Sequence, residues 1–253
     1  MSPEVSREAV IQALRGLRTA IISSHVSPDP DAVSSSGALA LALRSIGVEV
    51  SLYLADKVPD NMRALAAGLP IVHEIPKGTV DAVVVADTSV RHRIGPDAEA
   101  VLACGKQSIN IDHHVSNPAW ADLNFIDSSA ASTTQIIEDL LHRMAIPLTQ
   151  QIANLLYAGL VDDTGSFRFS NTSAEALECA SRLVRAGADP LFVANELYAK
   201  VSLRRFNLRI AALQGVKHFF NGQFATIIIP KNLLDLLGAL PEDTDGLIDD
   251  IRA

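Results

Sequence analysis

The sequence predicts an α/β protein, a doubly wound and mostly parallel sheet followed by a helical linker and a partial second α/β domain. Short apolar runs of strand length at 19–23, 48–54, 81–86 and 107–111 alternate with helical or loop-rich stretches. That alternation calls for crossover connections between parallel strands. From Ser132 the pattern turns helical, and only two strand-like runs come after it.

Taken in order, Ser2 followed by Pro3 reads as a helix start, with Val10, Ile11, Leu14 and Leu17 on one apolar face. Residues 19–23 form a short buried strand, and a polar, proline-broken turn follows at 25–31. A small-residue helix covers about 32–46 and stops at Gly47, before the strand at 48–54. The strand at 81–86 is almost wholly β-branched, and 107–111 is the fourth. Helices follow near 132–144, 149–160, 173–186 and 189–199, then an arginine-rich helix at 203–213. Residues 215–220 and 223–229 alternate like a hairpin around Asn221-Gly222, and 231–237 is helical. The expected domains are 1–190 for the catalytic sheet, 191–214 for a helical linker and 215–253 for the start of a second domain. Two strands are marginal alone in water, so this last piece is expected to be incomplete.

Composition narrows the function. Apolar residues make up 48% and charged residues 20%, ordinary for a globular chain. No apolar run reaches the ~18 residues of a membrane span. The first residues are polar rather than those of a secretory leader. Only Cys104 and Cys179 are present, too few for a disulfide framework, which points to a reducing cytoplasm. The net charge of −8 argues against a grip on long duplex DNA. A small anionic substrate is compatible with that charge if cations are bound.

The chemistry-bearing residues follow strands. His25, Asp29 and Asp31 lie in the turn after the first strand, and Asp87 follows the third. Asp112, His113 and His114 follow the fourth, and Asp163 ends an apolar helix. Loops at the carboxyl ends of parallel strands converge on one crevice. A single acid after a strand is usually a cap, but capping does not require a His-x₃-Asp-x-Asp turn together with an Asp-His-His turn. That many acids in one place cost several kcal/mol unless cations neutralise them. Carboxylate and imidazole without thiolate suit Mn²⁺, Fe²⁺, Co²⁺ or Mg²⁺ better than structural zinc. A pair of such ions is a common device for phosphoester hydrolysis.

The turn 25–32, the strand-end Asp87-Thr88-Ser89, the triplet Asp112-His113-His114 and the segment 161–167 together resemble the DHH phosphoesterase superfamily. The resemblance spans roughly residues 5–215. It looks most like the oligoribonuclease and 3′-phosphoadenosine 5′-phosphate phosphatase type called NrnA, through residues 128–135 and Phe167-Arg168-Phe169. It implies two divalent ions, Mn²⁺ foremost. His25 and Asp29 would bind one, Asp31, His113 and Asp163 the other, and Asp87 would bridge both. Asp162 is the alternative to Asp163. His114 would face the substrate phosphate, Asp112 would orient the histidines, and Arg93 would bind substrate. The implied reaction is hydrolysis of short RNA or linear dinucleotides to 5′-mononucleotides. The alternatives are 3′-phosphoadenosine 5′-phosphate dephosphorylation, or a nucleotide-binding module that has lost turnover. A pyrophosphatase is disfavoured by the acidic stretch after Glu242. A homodimer is compatible with the resemblance. Two departures stand out. Pro30 and Ser34 replace glycines usual in the family, which predicts an extended turn at Pro30, and a terminal Gly-Gly-His substrate clamp is missing.

Overall fold

The computed structural model describes residues 5–199, 202–244 and 246–251. Its chain divides into two compact units, one ending at Leu197 and one beginning at Tyr198. No helix among the described residues is long and apolar enough to cross a membrane.

The first unit is built on a parallel six-stranded sheet with strand order β3-β2-β1-β4-β5-β6. Its strands are β1 (Thr19–Ser23), β2 (Glu49–Tyr53), β3 (Ile71–Val72), β4 (Ala82–Ala86), β5 (Ser108–Asp112) and β6 (Leu123–Ile126). Every pairing in it is parallel. β1 pairs with β2 on one side and with β4 on the other, so the winding reverses between β1 and β4. Loops diverge there and leave a crevice at the carboxyl ends.

Alternation along the central strands splits the core in two. Ala82 and Val84 face a large cluster with Leu39, Leu43, Leu140 and Leu156, while Val83 and Val85 face a smaller one with Ile94 and Val101. Both faces of β4 are therefore covered, which explains its unbroken apolar run.

The helices of this unit are α1 (Arg7–Arg15), α2 (Pro30–Ser45), α3 (Ala98–Leu102), α4 (Thr133–Arg143), α5 (Gln150–Asp163), α6 (Ala174–Arg185) and α7 (Pro190–Ala194). Ser6, Asp29, Ser132, Thr149, Ser173 and Asp189 each cap a helix by accepting a backbone N–H with the side chain. Ser6 thus opens α1, four residues after the start read from Ser2, which lies outside the described residues. Pro30 is the first residue of α2, with the extended conformation falling on Asp29 instead. Proline is suited to that position because its missing N–H would have no helical partner there. β3, β6 and α3 were not expected from the sequence.

The stretch expected as a linker, 191–214, is shared between the units. Val193 and Leu197 are buried in the first core. α8 (Leu203–Gln214) packs within the second unit against α9 (Lys231–Leu237) and the turn Pro241–Thr244. The hairpin there pairs β7 (Lys217–Phe219) antiparallel with β8 (Phe224–Thr226) around Asn221 and Gly222 at positive φ. Its strands are shorter than the alternation suggested. Arg204 and Arg209 of α8 form ion pairs with Asp243 and Asp250.

Ser34 in α2 is fully buried, and its hydroxyl has no hydrogen-bond partner in the protein. A buried polar group without a partner costs about 1–3 kcal/mol, and alanine is the better helix former. Ser34→Ala should therefore raise the melting temperature of the metal-free protein, by about 2–4 °C per kcal/mol recovered. Calorimetry showing an unchanged or lower midpoint would refute this reading of Ser34.

Candidate metal centre

β1 delivers the first side chains. Past its end the Ser24 hydroxyl donates to the Ala86 carbonyl at 2.8 Å, tying the exits of β1 and β4 together. His25 is buried, with Nδ1 2.8 Å from the Val26 carbonyl. Donation from Nδ1 to that carbonyl would let Nε2, which faces the crevice, offer its lone pair to a cation. Nε2 lies 3.5 Å from Asp29 Oδ2 and 3.6 Å from Asp87 Oδ2. The Arg93 guanidinium sits 3.1 Å from His25 Nδ1, on the far side of the ring. Its backbone carbonyl is fixed by the Val26 N–H at 2.6 Å.

Asp31 is completely buried. Its carboxylate accepts the Thr133 and Thr134 N–H groups at 2.7 and 3.1 Å, so it sits on the N-terminus of α4. Asp87 leaves β4 with φ +55, a left-handed conformation that aspartate tolerates better than most residues. Its Oδ1 accepts the Thr133 hydroxyl at 2.8 Å. The same oxygen is 3.7 Å from His113 Nε2, which in turn is 3.3 Å from Asp163 Oδ2. Asp87 therefore turns one oxygen toward His25 and the other toward His113. His114 stands edge-on to His113 and its Nδ1 is 2.7 Å from Asp112 Oδ1.

Three overlapping groups have ligand atoms all within 4.8 Å of one another: His25, Asp29 and Asp87; Asp31, His113 and Asp163; and Asp87, His113 and His114. The six residues read as ligands from the sequence are thus brought together. Asp112 and His114 form the adjoining pair, and Arg93 stands behind His25. Residues outside this constellation find ordinary surroundings: His73 bonds the Leu54 carbonyl, Cys104 the Ala100 carbonyl, and Cys179 is buried.

Electrostatics show what the crevice lacks. Burial, then the neighbouring Asp87 and Asp29 charges, push Asp31 well above the usual carboxylate range. Burial and the charges of Asp31, Asp87 and Asp29 push Asp163 up to about 11. Burial alone would lower His25, but hydrogen bonds to Asp29 and Asp87 prevail and push it up to about 10. The protein alone satisfies these groups only by holding protons on carboxylates and a charge on a buried imidazole. Two divalent cations would replace those protons, and the donor set, hard oxygen with imidazole nitrogen, fits them.

Sequence reasoning passed over three residues that shape this centre. Thr133 and Thr134 hold Asp31 through backbone N–H groups, for which their side chains give no signal, and Thr133 adds its hydroxyl to Asp87. Gly159 is the third. A Cβ there would lie 2.5 Å from Asp31 Oδ1 and 2.5 Å from Thr134 Cγ2, so α5 can approach Asp31 only without a side chain. Gly159→Ala should displace Asp31 and weaken Mn²⁺ binding by about 10–100-fold, the range for disturbed supports of a metal ligand. Calorimetric titration on a variant with native circular dichroism checks it, and wild-type affinity would show the contact to be harmless.

Comparison with known proteins places this geometry. Residues 19–160 match the family model described as the DHH family, N-terminal domain. A protein of Thermus thermophilus named bifunctional oligoribonuclease and PAP phosphatase NrnA is 31% identical over 245 residues, 96% of this chain and 71% of its own length. A protein of the same name from Bacillus subtilis is 29% identical, over 91% of this chain and 72% of its own. Among solved structures, an exopolyphosphatase-related protein from Bacteroides fragilis superposes with a TM-score of 0.89 at 22% identity, covering 98% of this chain and 76% of that one. A family II inorganic pyrophosphatase, so described, from Methanococcus jannaschii gives 0.59 at 20% identity, covering 86% and 78%. With its matched sheet domain and with relatives aligned along nearly its whole length, this chain belongs to the DHH family.

Proposed function

We propose that this chain is a metal-dependent phosphodiesterase that hydrolyses short oligoribonucleotides or linear dinucleotides to nucleoside 5′-monophosphates, loaded with two Mn²⁺ ions. The observation that carries the reading is the Asp87 carboxylate between two imidazoles, 3.6 Å from His25 and 3.7 Å from His113. A bridging ligand of a two-metal site has this disposition. Relatives named as oligoribonucleases support the substrate class. In this reading His25 and Asp29 would hold one ion, Asp31, His113 and Asp163 would hold the other, and Asp87 would serve both. When bound, the ions supply positive charge and Lewis acidity at the scissile phosphate.

The remaining residues serve the substrate. The hydrogen bond to Asp112 raises the His114 pKa, favouring the imidazolium. With Nδ1 committed to Asp112, Nε2–H is the group that faces a phosphate oxygen or protonates the departing 3′-oxygen. Arg93, its guanidinium 3.1 Å from His25 Nδ1, would add positive charge behind that ring rather than touch the phosphate. The same relatives are also named PAP phosphatases, and dephosphorylation of 3′-phosphoadenosine 5′-phosphate is the second reading for this site.

Product analysis tests the choice. A labelled dinucleotide and 3′-phosphoadenosine 5′-phosphate are each incubated with Mn²⁺-loaded protein and with a chelator-treated control. Metal-dependent mononucleotide release is expected. No turnover of either compound by protein carrying two ions per chain would defeat the proposal.

The two adjacent histidines should fail differently. His113→Ala should lose metal, because it removes a ligand. His114→Ala should retain both ions and slow a single turnover by about 10²–10⁴-fold, the effect of a positioned proton-transfer or charge-stabilising group. Metal content and rate measured on both variants decide it, and the opposite pattern would reverse the assignment.

A further inference from the structure

We infer that Asn117 is a positioning residue for His114, acting through Asp112, in the reaction proposed above. The observation is a closed hydrogen-bond network on the loop after β5. Asp112 is completely buried, with Oδ1 engaged by His114 Nδ1 at 2.7 Å and Oδ2 by Asn117 Nδ2 at 2.6 Å. The same Asn117 nitrogen donates to Asn110 Oδ1 at 2.7 Å, and Asn117 Oδ1 accepts the Ala119 N–H at 2.9 Å. Asn110, also fully buried, passes the connection on by donating to the carbonyls of Val85 at 3.1 Å and Thr88 at 3.3 Å. These carbonyls flank Asp87.

The orientation of both amides follows from their partners. Asn110 Nδ2 faces two carbonyl oxygens, so Asn110 Oδ1 must face Asn117. Asn117 then meets two acceptors, the Asn110 oxygen and the Asp112 carboxylate, and has two N–H groups to give. A flipped Asn117 would set its oxygen against both acceptors and its NH₂ against the Ala119 N–H. One arrangement satisfies every group. It holds the buried Asp112 carboxylate with one oxygen turned to His114, and it spans the strand ends that carry Asp87 and the two histidines.

Removing the Asn117 amide would leave the carboxylate with one partner and freedom to rotate. The imidazole would lose its fixed aim although no metal ligand had changed. The expected loss is about 10–100-fold in rate, typical for a group that orients a working side chain. Asn117→Asp preserves the shape and the acceptor toward Ala119 while setting a carboxylate against Asp112, so it should be at least as damaging as Asn117→Ala. If Asn117 served only to hold the loop, the aspartate variant would be the milder one.

The test is a double-mutant cycle on the Mn²⁺-loaded protein with the labelled dinucleotide, using Asn117→Ala, His114→Ala and both together. Asn117→Ala is expected to keep two ions per chain, to lower kcat by about 10–100-fold and to leave KM within about threefold. In the His114→Ala background it should cost nothing more. Losses that multiply, or a loss of metal from Asn117→Ala, would overturn the inference. A His114→Ala variant with the wild-type rate defeats instead the role given to His114 in the proposed function, a result separable from the former. With diamagnetic Mg²⁺ in place of Mn²⁺, the proton NMR resonance of His114 Nδ1–H gives a second readout independent of turnover. It should be sheltered from exchange in the parent and lost in both Asn117 variants, and its persistence in them would overturn the inference even where a variant is poorly active for other reasons.

Discussion

Repulsion among four carboxylates in one crevice is the constraint on which the rest of this structure depends. Asp29, Asp31, Asp87 and Asp163 come from three different segments and meet where the sheet reverses its winding. Burial first, then the neighbouring carboxylate charges, Asp29 and Asp87 among them, raise the cost of ionising Asp31 and Asp163. The protein offsets part of this with directed dipoles. Two N–H groups at the start of α4 point at Asp31, and the Thr133 hydroxyl points at Asp87. What these partial charges leave uncompensated is of a size and sign suited to divalent cations, and the imidazoles at either side of Asp87 supply the nitrogen donors that complete such a set.

Holding repelling groups at fixed separations requires a stiff frame. The frame here is a sheet covered on both faces, with β4 buried along its whole length, so the strand ends cannot drift apart to relieve the repulsion. Left-handed conformations then collect where β4 and α5 give way to the site. Asp87 has positive φ at the exit of β4, and Gly165, Ser166 and Phe167 form three successive left-handed residues just after Asp163. The non-glycine residues among them, Asp87, Ser166 and Phe167, cost of order 1–3 kcal/mol each and persist only where the surroundings enforce them. Asn171 does so for the second group, its amide donating both to the Asp163 carbonyl and to the Ala131 carbonyl beside the cap of α4.

What was legible in the sequence follows from where each residue keeps its information. β4 was readable because a strand buried on both faces needs an unbroken apolar run. β3 spans two residues and β6 is the four-residue Leu123–Ile126, containing one β-branched residue, and neither is long enough to show a period. Acids and histidines announced the site because their side chains are the chemistry. Thr133 and Thr134 contribute main-chain N–H groups, Gly159 contributes the absence of a Cβ, and Asn117 contributes an amide in a segment that reads as an ordinary turn. The threonines and Gly159 depend on partners more than ten residues away, and Asn117 on the way its turn folds back onto Asp112 and Asn110, and no local pattern encodes either. Pro30 shows the converse case. As a residue type it suggested an extended turn, yet the cap provided by Asp29 made it the first residue of a helix.

The distribution of charge bears on the size of substrate the site can serve. Several basic side chains are committed to the protein's own carboxylates: Lys106 to Asp81, Arg91 to Glu99, Arg182 to Glu138, Arg204 to Asp243 and Arg209 to Asp250. Affinity for a long polyanion comes from many phosphate contacts and the counterions they release, and a chain of net charge −8 with its cations so engaged is poorly equipped for it. Positive potential would instead be concentrated at the bound ions, with the His114 imidazolium beside them and Arg93 behind His25. A centre of that kind attracts a phosphate strongly at one point and weakly at the next, which favours substrates of few phosphates. In the proposed reading, the same acids that repel one another would set the selectivity, by confining the attraction to the few ångströms that bound cations would occupy.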